Sequence, residues 1–161
     1  MTTSKSDPED LPLFIKEAKN KAARYCAYQE RTQQQVREKL YSLGLHHENV
    51  ELLLSSLIAE GYVNEERFAK QYAGGKFRMK KWGRLKIIQG LRGKGLTERC
   101  IDKGLLEIDK TDYINTLKTL ALNKYEHLQD ENKQVKLLKT FNYLKAKGYE
   151  FELINQILDE F

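Results

Sequence analysis

The sequence predicts an all-α fold: three tandem three-helix repeats forming an elongated, curved array. Three observations predict it. Apolar residues recur at helical spacing, no proline follows Pro12, and one glycine-centred pattern returns three times. A chain of 161 residues with 40% apolar and 32% charged side chains is long enough for such a soluble array, whose units are too small to bury a core singly.

Residues 1–13, with Pro8 and Pro12 and no apolar period, are expected to be a disordered tail. The first repeat is placed at 14–61. A helix over about 14–31 puts Ala18, Ala22, Tyr25 and Cys26 on one face. Thr32 can cap a second helix with the stripe Val36, Leu40, Leu43, and Gly44 stops it. Val50, Leu53, Leu54, Leu57 and Ile58 mark a third, ended by Gly61.

The repeat emerges when Gly44, Gly95 and Gly148 are aligned; they lie 51 and 53 residues apart. Four residues before each stands Leu40, Leu91 or Leu144, and directly after each stands Leu45, Leu96 or Tyr149. Six after come Val50, Ile101 and Ile154, ten after come Leu54, Leu105 and Leu158, and thirteen after come Leu57, Ile108 and Phe161. The second repeat is therefore placed at 62–109, opening with a helix over about 65–80, and the third at 110–161. The third opens with a helix over about 111–126, with Tyr113, Leu117, Leu120 and Ala121 on one face.

At the first junction, Gly61-Tyr62-Val63-Asn64-Glu65-Glu66 is a stop followed by a start. Gly61 suits a left-handed position, Tyr62 and Val63 can tuck inward, and Asn64 can cap a helix whose first turn is acidic. Gly74-Gly75 marks either a kink or a helix end. In the helix after Gly83, the residues expected to point inward are Leu85, Ile88 and Leu91.

Charge separates the chain into three parts. Residues 1–73 carry a net −1, residues 74–103 carry +8, and residues 104–161 carry −2. The central stretch holds ten basic residues against Glu98 and Asp102, which points to a polyanion or an acidic partner. The residues expected to contact it are Lys76, Arg78, Lys80, Lys81, Trp82, Arg84, Lys86, Arg92 and Lys94, with Phe77 interleaved. The competing reading is a solvated face, against which stands the scarcity of acids. Trp82 admits two roles, a core anchor or a platform on which an unpaired base stacks.

Enzymatic signals are weak. His46, His47 and His127 lack companions at metal-ligand spacing, and the glycines at 83 and 90–95 follow no strand and precede no Gly-Lys-Ser/Thr. No catalytic residue, metal or cofactor is expected. Cys26 and Cys100 are expected to be buried thiols of a cytosolic protein. No apolar run approaches the roughly 20 residues of a membrane span, and the first residues lack the apolar core of a secretory signal.

Three stretches resemble the RecX family. They are Ala27-Tyr28 … Arg31-Thr32 … Val36 … Lys39-Leu40 … Leu43-Gly44, then Gly61-Tyr62-Val63-Asn64-Glu65 … Phe68-Ala69, then Gly83-Arg84-Leu85-Lys86-Ile87-Ile88 … Leu91 … Lys94-Gly95-Leu96. The likeness runs from about residue 16 to 161. Glu65 stands where family members often have Asp, and Gly74-Gly75 is unusual inside its helix. The resemblance implies a cytoplasmic, monomeric regulatory protein that lies along a RecA-type recombinase filament. It would modulate, in most cases inhibit, ATPase, strand-exchange and coprotease activities in recombinational DNA repair. Single- or double-stranded DNA is the alternative partner, bound through the basic central repeat. A helical adaptor that touches neither is a third class.

Overall fold

A computed structural model describes residues 12–129 and 132–161. Among these residues every regular element is helical: α1 (Leu13–Tyr28), α2 (Gln33–Ser42), α3 (His47–Ala59), α4 (Glu65–Lys80), α5 (Arg84–Gly93), α6 (Glu98–Leu105), α7 (Lys110–His127), α8 (Lys133–Lys147) and α9 (Phe151–Leu158). The expected tail falls mostly on residues 1–11, outside the described residues; Pro12 precedes α1 and Leu13 opens it. No helix among the described residues is long and apolar enough to cross a membrane.

The chain divides into two compact units after Phe68, in the first turn of α4. In the first, α1, α2 and α3 pack pairwise around Ile15, Ala18, Ala22, Cys26, Val36, Leu40, Val50, Leu53, Leu54 and Leu57. Thr32 forms a capping box with Gln35: the Thr32 hydroxyl takes the Gln35 N–H and the Gln35 side chain takes the Thr32 N–H. This start forces Thr32 into extended backbone (φ −79°, ψ 161°). α1 ends at Tyr28 and not at Arg31, because the chain already turns extended at Gln29 (φ −158°, ψ 161°). The Arg31 guanidinium instead lies 3.7 Å from the Tyr25 ring centroid and donates to the Tyr25 carbonyl.

Several aligned positions of the repeat are structural equivalents, though Leu105 and Phe161 are only half-buried where Leu54 and Leu57 are buried. Leu40, Leu91 and Leu144 are fully buried, as are Val50, Ile101 and Ile154 to within 1%. Gly44, Gly95 and Gly148 all adopt left-handed backbone, with φ of 89°, 82° and 98°. The N–H of Leu96 reaches back to Leu91 and that of Tyr149 to Leu144, which satisfies carbonyls that a helix end leaves orphaned. Gly61 ends α3 in the same way (φ 81°), with Tyr62 donating to Leu57, and Asn64 caps α4.

Several expectations fail, two of them, at Leu85 and Ile58, through helical phase. Leu85 is 51% exposed; Gly83 sets the N-terminus of α5, and that phase turns Ile87 and Leu91 inward. Ile58 is 39% and Tyr62 40% exposed, while Val63 alone of the junction pair is buried. Cys26 is buried, and burial pushes its thiol up, but Cys100 is half-buried. Gly74-Gly75 does not end a helix: α4 runs through both to Lys80.

In the second unit, glycines permit close backbone approach. A Cβ on Gly104 would sit 2.7 Å from the Ala69 carbonyl oxygen, so α6 lies against α4. A Cβ on Gly148 would meet the Lys86 backbone nitrogen at 2.6 Å, whereas one on Gly75 or Gly95 would meet nothing within 4 Å. Gly75→Ala is therefore expected to stabilise the protein by about 0.5–1 kcal/mol, from helix propensity alone. Gly148→Ala adds a backbone collision to the left-handed strain of about 1–2 kcal/mol and is expected to destabilise by more than Gly95→Ala, which carries the strain without the collision. Denaturant midpoints of the three variants check the ranking.

Candidate partner-binding surface

The nine residues expected at the surface fall on the last two turns of α4, its exit turn, and α5 with its C-terminal cap. The structure sorts them into four groups.

The first is built on two aromatic rings. Tyr72 and Trp82 meet edge to face with centroids 6.5 Å apart. Lys76 Nζ lies 4.8 Å from the Trp82 centroid and 5.4 Å from that of Tyr72. Lys86 Nζ lies 4.6 Å from Trp82, and Lys94 Nζ lies 5.9 Å from Tyr72. Each contact is worth about 0.5–1 kcal/mol at an exposed site. None of the three lysines forms an ion pair among the described residues. The rings thus gather three ammonium groups whose mutual repulsion an anion would relieve. Gly90 makes the arrangement possible, since a Cβ there would collide with the Tyr72 hydroxyl at 2.2 Å. Burial pushes the Tyr72 phenol above its ordinary value.

Arg84 forms the second group, and it points inward. Its guanidinium stacks 3.9 Å from the Tyr113 ring centroid and donates to Glu150 at 2.9 Å. Its backbone N–H donates to the Tyr113 hydroxyl at 3.0 Å, and that hydroxyl donates to the other Glu150 oxygen. Arg84 thereby ties α5 to α7 and to the start of α9, and its charge is matched by Glu150.

The third group is Arg92, neutralised by Glu98 at 2.6 Å in an exposed pair. The fourth contains Arg78, Lys80 and Lys81, all exposed at the exit of α4. Lys81 is the non-glycine residue with positive φ (57°) among the described residues, in the place where helices usually set glycine. Its carbonyl accepts the Tyr149 hydroxyl at 2.8 Å, and the Lys80 carbonyl accepts Lys147 Nζ at 3.2 Å.

Two aromatic residues exchange roles relative to the sequence reading. Phe77 is 7% exposed and packs on Tyr113, so it belongs to the core. Tyr72, which that reading missed, is half of the ring pair. Its position four residues before Lys76, one helical turn away, was the available signal. Trp82 is half-buried, combining an anchored body with a face open to cations.

The fold and the site define a class, the all-helical repeat proteins, here with a lysine-rich aromatic surface. Comparison with known proteins narrows the class. Residues 18–57 match the family model described as RecX, first three-helix domain, and residues 64–105 match RecX, second three-helix domain. Among relatives named Regulatory protein RecX, that of Clostridium perfringens (strain 13 / Type A) is 33% identical over 147 residues, covering 90% of this chain and 68% of that protein. That of Clostridioides difficile (strain 630) is 26% identical over 151 residues, covering 94% and 70%. The crystal structure of RecX from Lactobacillus salivarius shares the fold, with a TM-score of 0.84 over 91% of this chain and 96% of that one at 24% identity. The chain belongs to the RecX family.

Burial raises the Tyr113 and Tyr149 phenols well above their usual value, so the folded state holds both protons more tightly than the unfolded chain does. The stability this contributes is complete below about pH 10 and is lost as pH rises beyond it. Tyr113→Phe is expected to cost about 1–3 kcal/mol at neutral pH by stranding its partners, and to make the alkaline loss shallower. Urea titrations between pH 7 and 11 read both effects. Lys81→Gly is expected to raise stability by about 1 kcal/mol by releasing left-handed strain, visible as a higher melting temperature.

Proposed function

We propose that this chain is a non-catalytic, cytoplasmic regulator that binds a RecA-type recombinase filament and restrains its ATPase, strand-exchange and coprotease activities. Membership of a family whose relatives are named regulatory proteins supports the reading. The observation that carries it is the Tyr72–Trp82 pair with Lys76, Lys86 and Lys94, a cationic surface that no acid among the described residues neutralises. Repeats at 14–61, 62–109 and 110–161 would present this surface to the filament. A regulator acts by preferring one filament state over another, and differential contact through such a surface is sufficient for that. Arg84 and Arg92, whose charges are matched internally, are assigned no contact, whereas Lys80 and Lys147 extend the cationic area.

A second reading, direct DNA binding, is favoured by the same lysines, because ammonium groups meet phosphates as readily as carboxylates. The cognate recombinase hydrolysing ATP on single-stranded DNA separates the two. Titrated in below one copy per recombinase subunit, the protein is expected to lower the rate. The Lys76→Ala/Lys86→Ala/Lys94→Ala variant is expected to need a higher concentration for the same effect. If bare single-stranded DNA were the target, the wild type would bind it tightly without recombinase. The triple variant would then flatten the salt dependence of that binding by about two units of slope, at roughly 0.7 per phosphate contact.

A further inference from the structure

Phe77, Arg78 and Lys81 from the end of α4, with Asp112, Asn115, Thr116, Thr119 and Leu120 from α7, line a cavity of about 380 Å³. It shares no side chain with the Tyr72–Trp82 cluster, so it is a separate site. Its volume is at the small end of the about 300–1,000 Å³ typical of ligand pockets.

The lining is sorted by chemistry. The floor is apolar, made by Phe77 and Leu120. Asn115, Thr116 and Thr119 carry neutral groups that both donate and accept hydrogen bonds. Arg78 and Lys81 are cations, and neither forms an ion pair among the described residues. Both are held in place at a cost. Gly74 lacks the Cβ that would come 2.8 Å from an Arg78 guanidinium nitrogen, which lets that side chain lie back along α4, and the glycine weakens the helix. Lys81 occupies left-handed backbone that a glycine would accept without strain.

We propose that this groove between α4 and α7 docks a short acidic peptide segment of a partner protein. An aliphatic side chain of the peptide rests on Phe77 and Leu120. Its backbone meets Asn115, Thr116 and Thr119, and a neighbouring carboxylate meets Arg78 and Lys81. Charge decides for an acid, because two unpaired cations outnumber Asp112. Shape decides for a peptide over a nucleic acid. A stacked base needs an open aromatic face, whereas Phe77 is nearly buried and packed on Tyr113.

The test uses the full chain and no recombinase, so its failure is distinct from failure of the filament reading. Amide shifts are followed by NMR with an acetylated peptide of alternating leucine and glutamate, its glutamine analogue, and a twelve-residue oligothymidylate. The glutamate peptide is expected to move the amides of Phe77, Arg78, Thr116 and Thr119, and to bind about tenfold more tightly than the glutamine analogue, the effect of one good charged contact. Thr119→Trp, at an exposed position, fills the groove and is expected to abolish the shifts. Arg78→Gln/Lys81→Gln, also at exposed positions, is expected to lower affinity to that of the analogue and serves if the tryptophan variant does not fold. Equal binding of the two peptides, or shifts centred on Trp82 and Lys86, overturns the proposal. So does displacement of the peptide by oligothymidylate, which would make the groove a phosphate site.

Discussion

The second compact unit is organised by one junction, where the end of α8 meets the beginning of α5. An α-helix leaves its first N–H groups without partners, and Gly83 has no side chain to cap them. The partners come from the third triplet. Gly83 N–H donates to the Lys147 carbonyl at 2.8 Å and Leu85 N–H to the Gly148 carbonyl at 2.9 Å, while Arg84 N–H donates to the Tyr113 hydroxyl at 3.0 Å. The positive end of one helix dipole is therefore set against the negative end of another. The contact is backbone on backbone, with no space for a Cβ on Gly83 or Gly148. From it follow the phase of α5, the outward turn of Leu85, and the inward turn of Arg84.

The fold was legible because its determinants are local and repeated. Helix stops at Gly44, Gly61, Gly95 and Gly148 follow from left-handed backbone, and starts at Thr32, Asn64 and Asp109 from side-chain caps. Leucines in register with the glycines mark the core. The misreadings, such as Leu85 and Ile58, concern which of two adjacent phases faces inward, and neighbours distant in the chain decide that.

The candidate surface was legible as a charge excess and not as a geometry. A run of basic residues looks uniform in sequence, yet Glu98 neutralises Arg92 from six residues away and Glu150 neutralises Arg84 from 66 away. The first partner is visible locally and the second leaves no local pattern. Tyr72 escaped notice because its pairing with Trp82 and its contact with Lys94 depend on Gly90 yielding room in another helix.

The three equivalent glycines share a backbone conformation but not a neighbourhood. A side chain at Gly44 would find Phe14 at a comfortable 3.7 Å and one at Gly95 would find open space, while Gly148 is enclosed by Lys86. The triplets are thus alike in construction and unlike in interchangeability. A copy of the first or second triplet placed third would bring the left-handed glycine, but it would lack Tyr149 and Glu150, which reach Lys81 and Arg84. The third module is keyed to the one before it, so the series has a built-in direction.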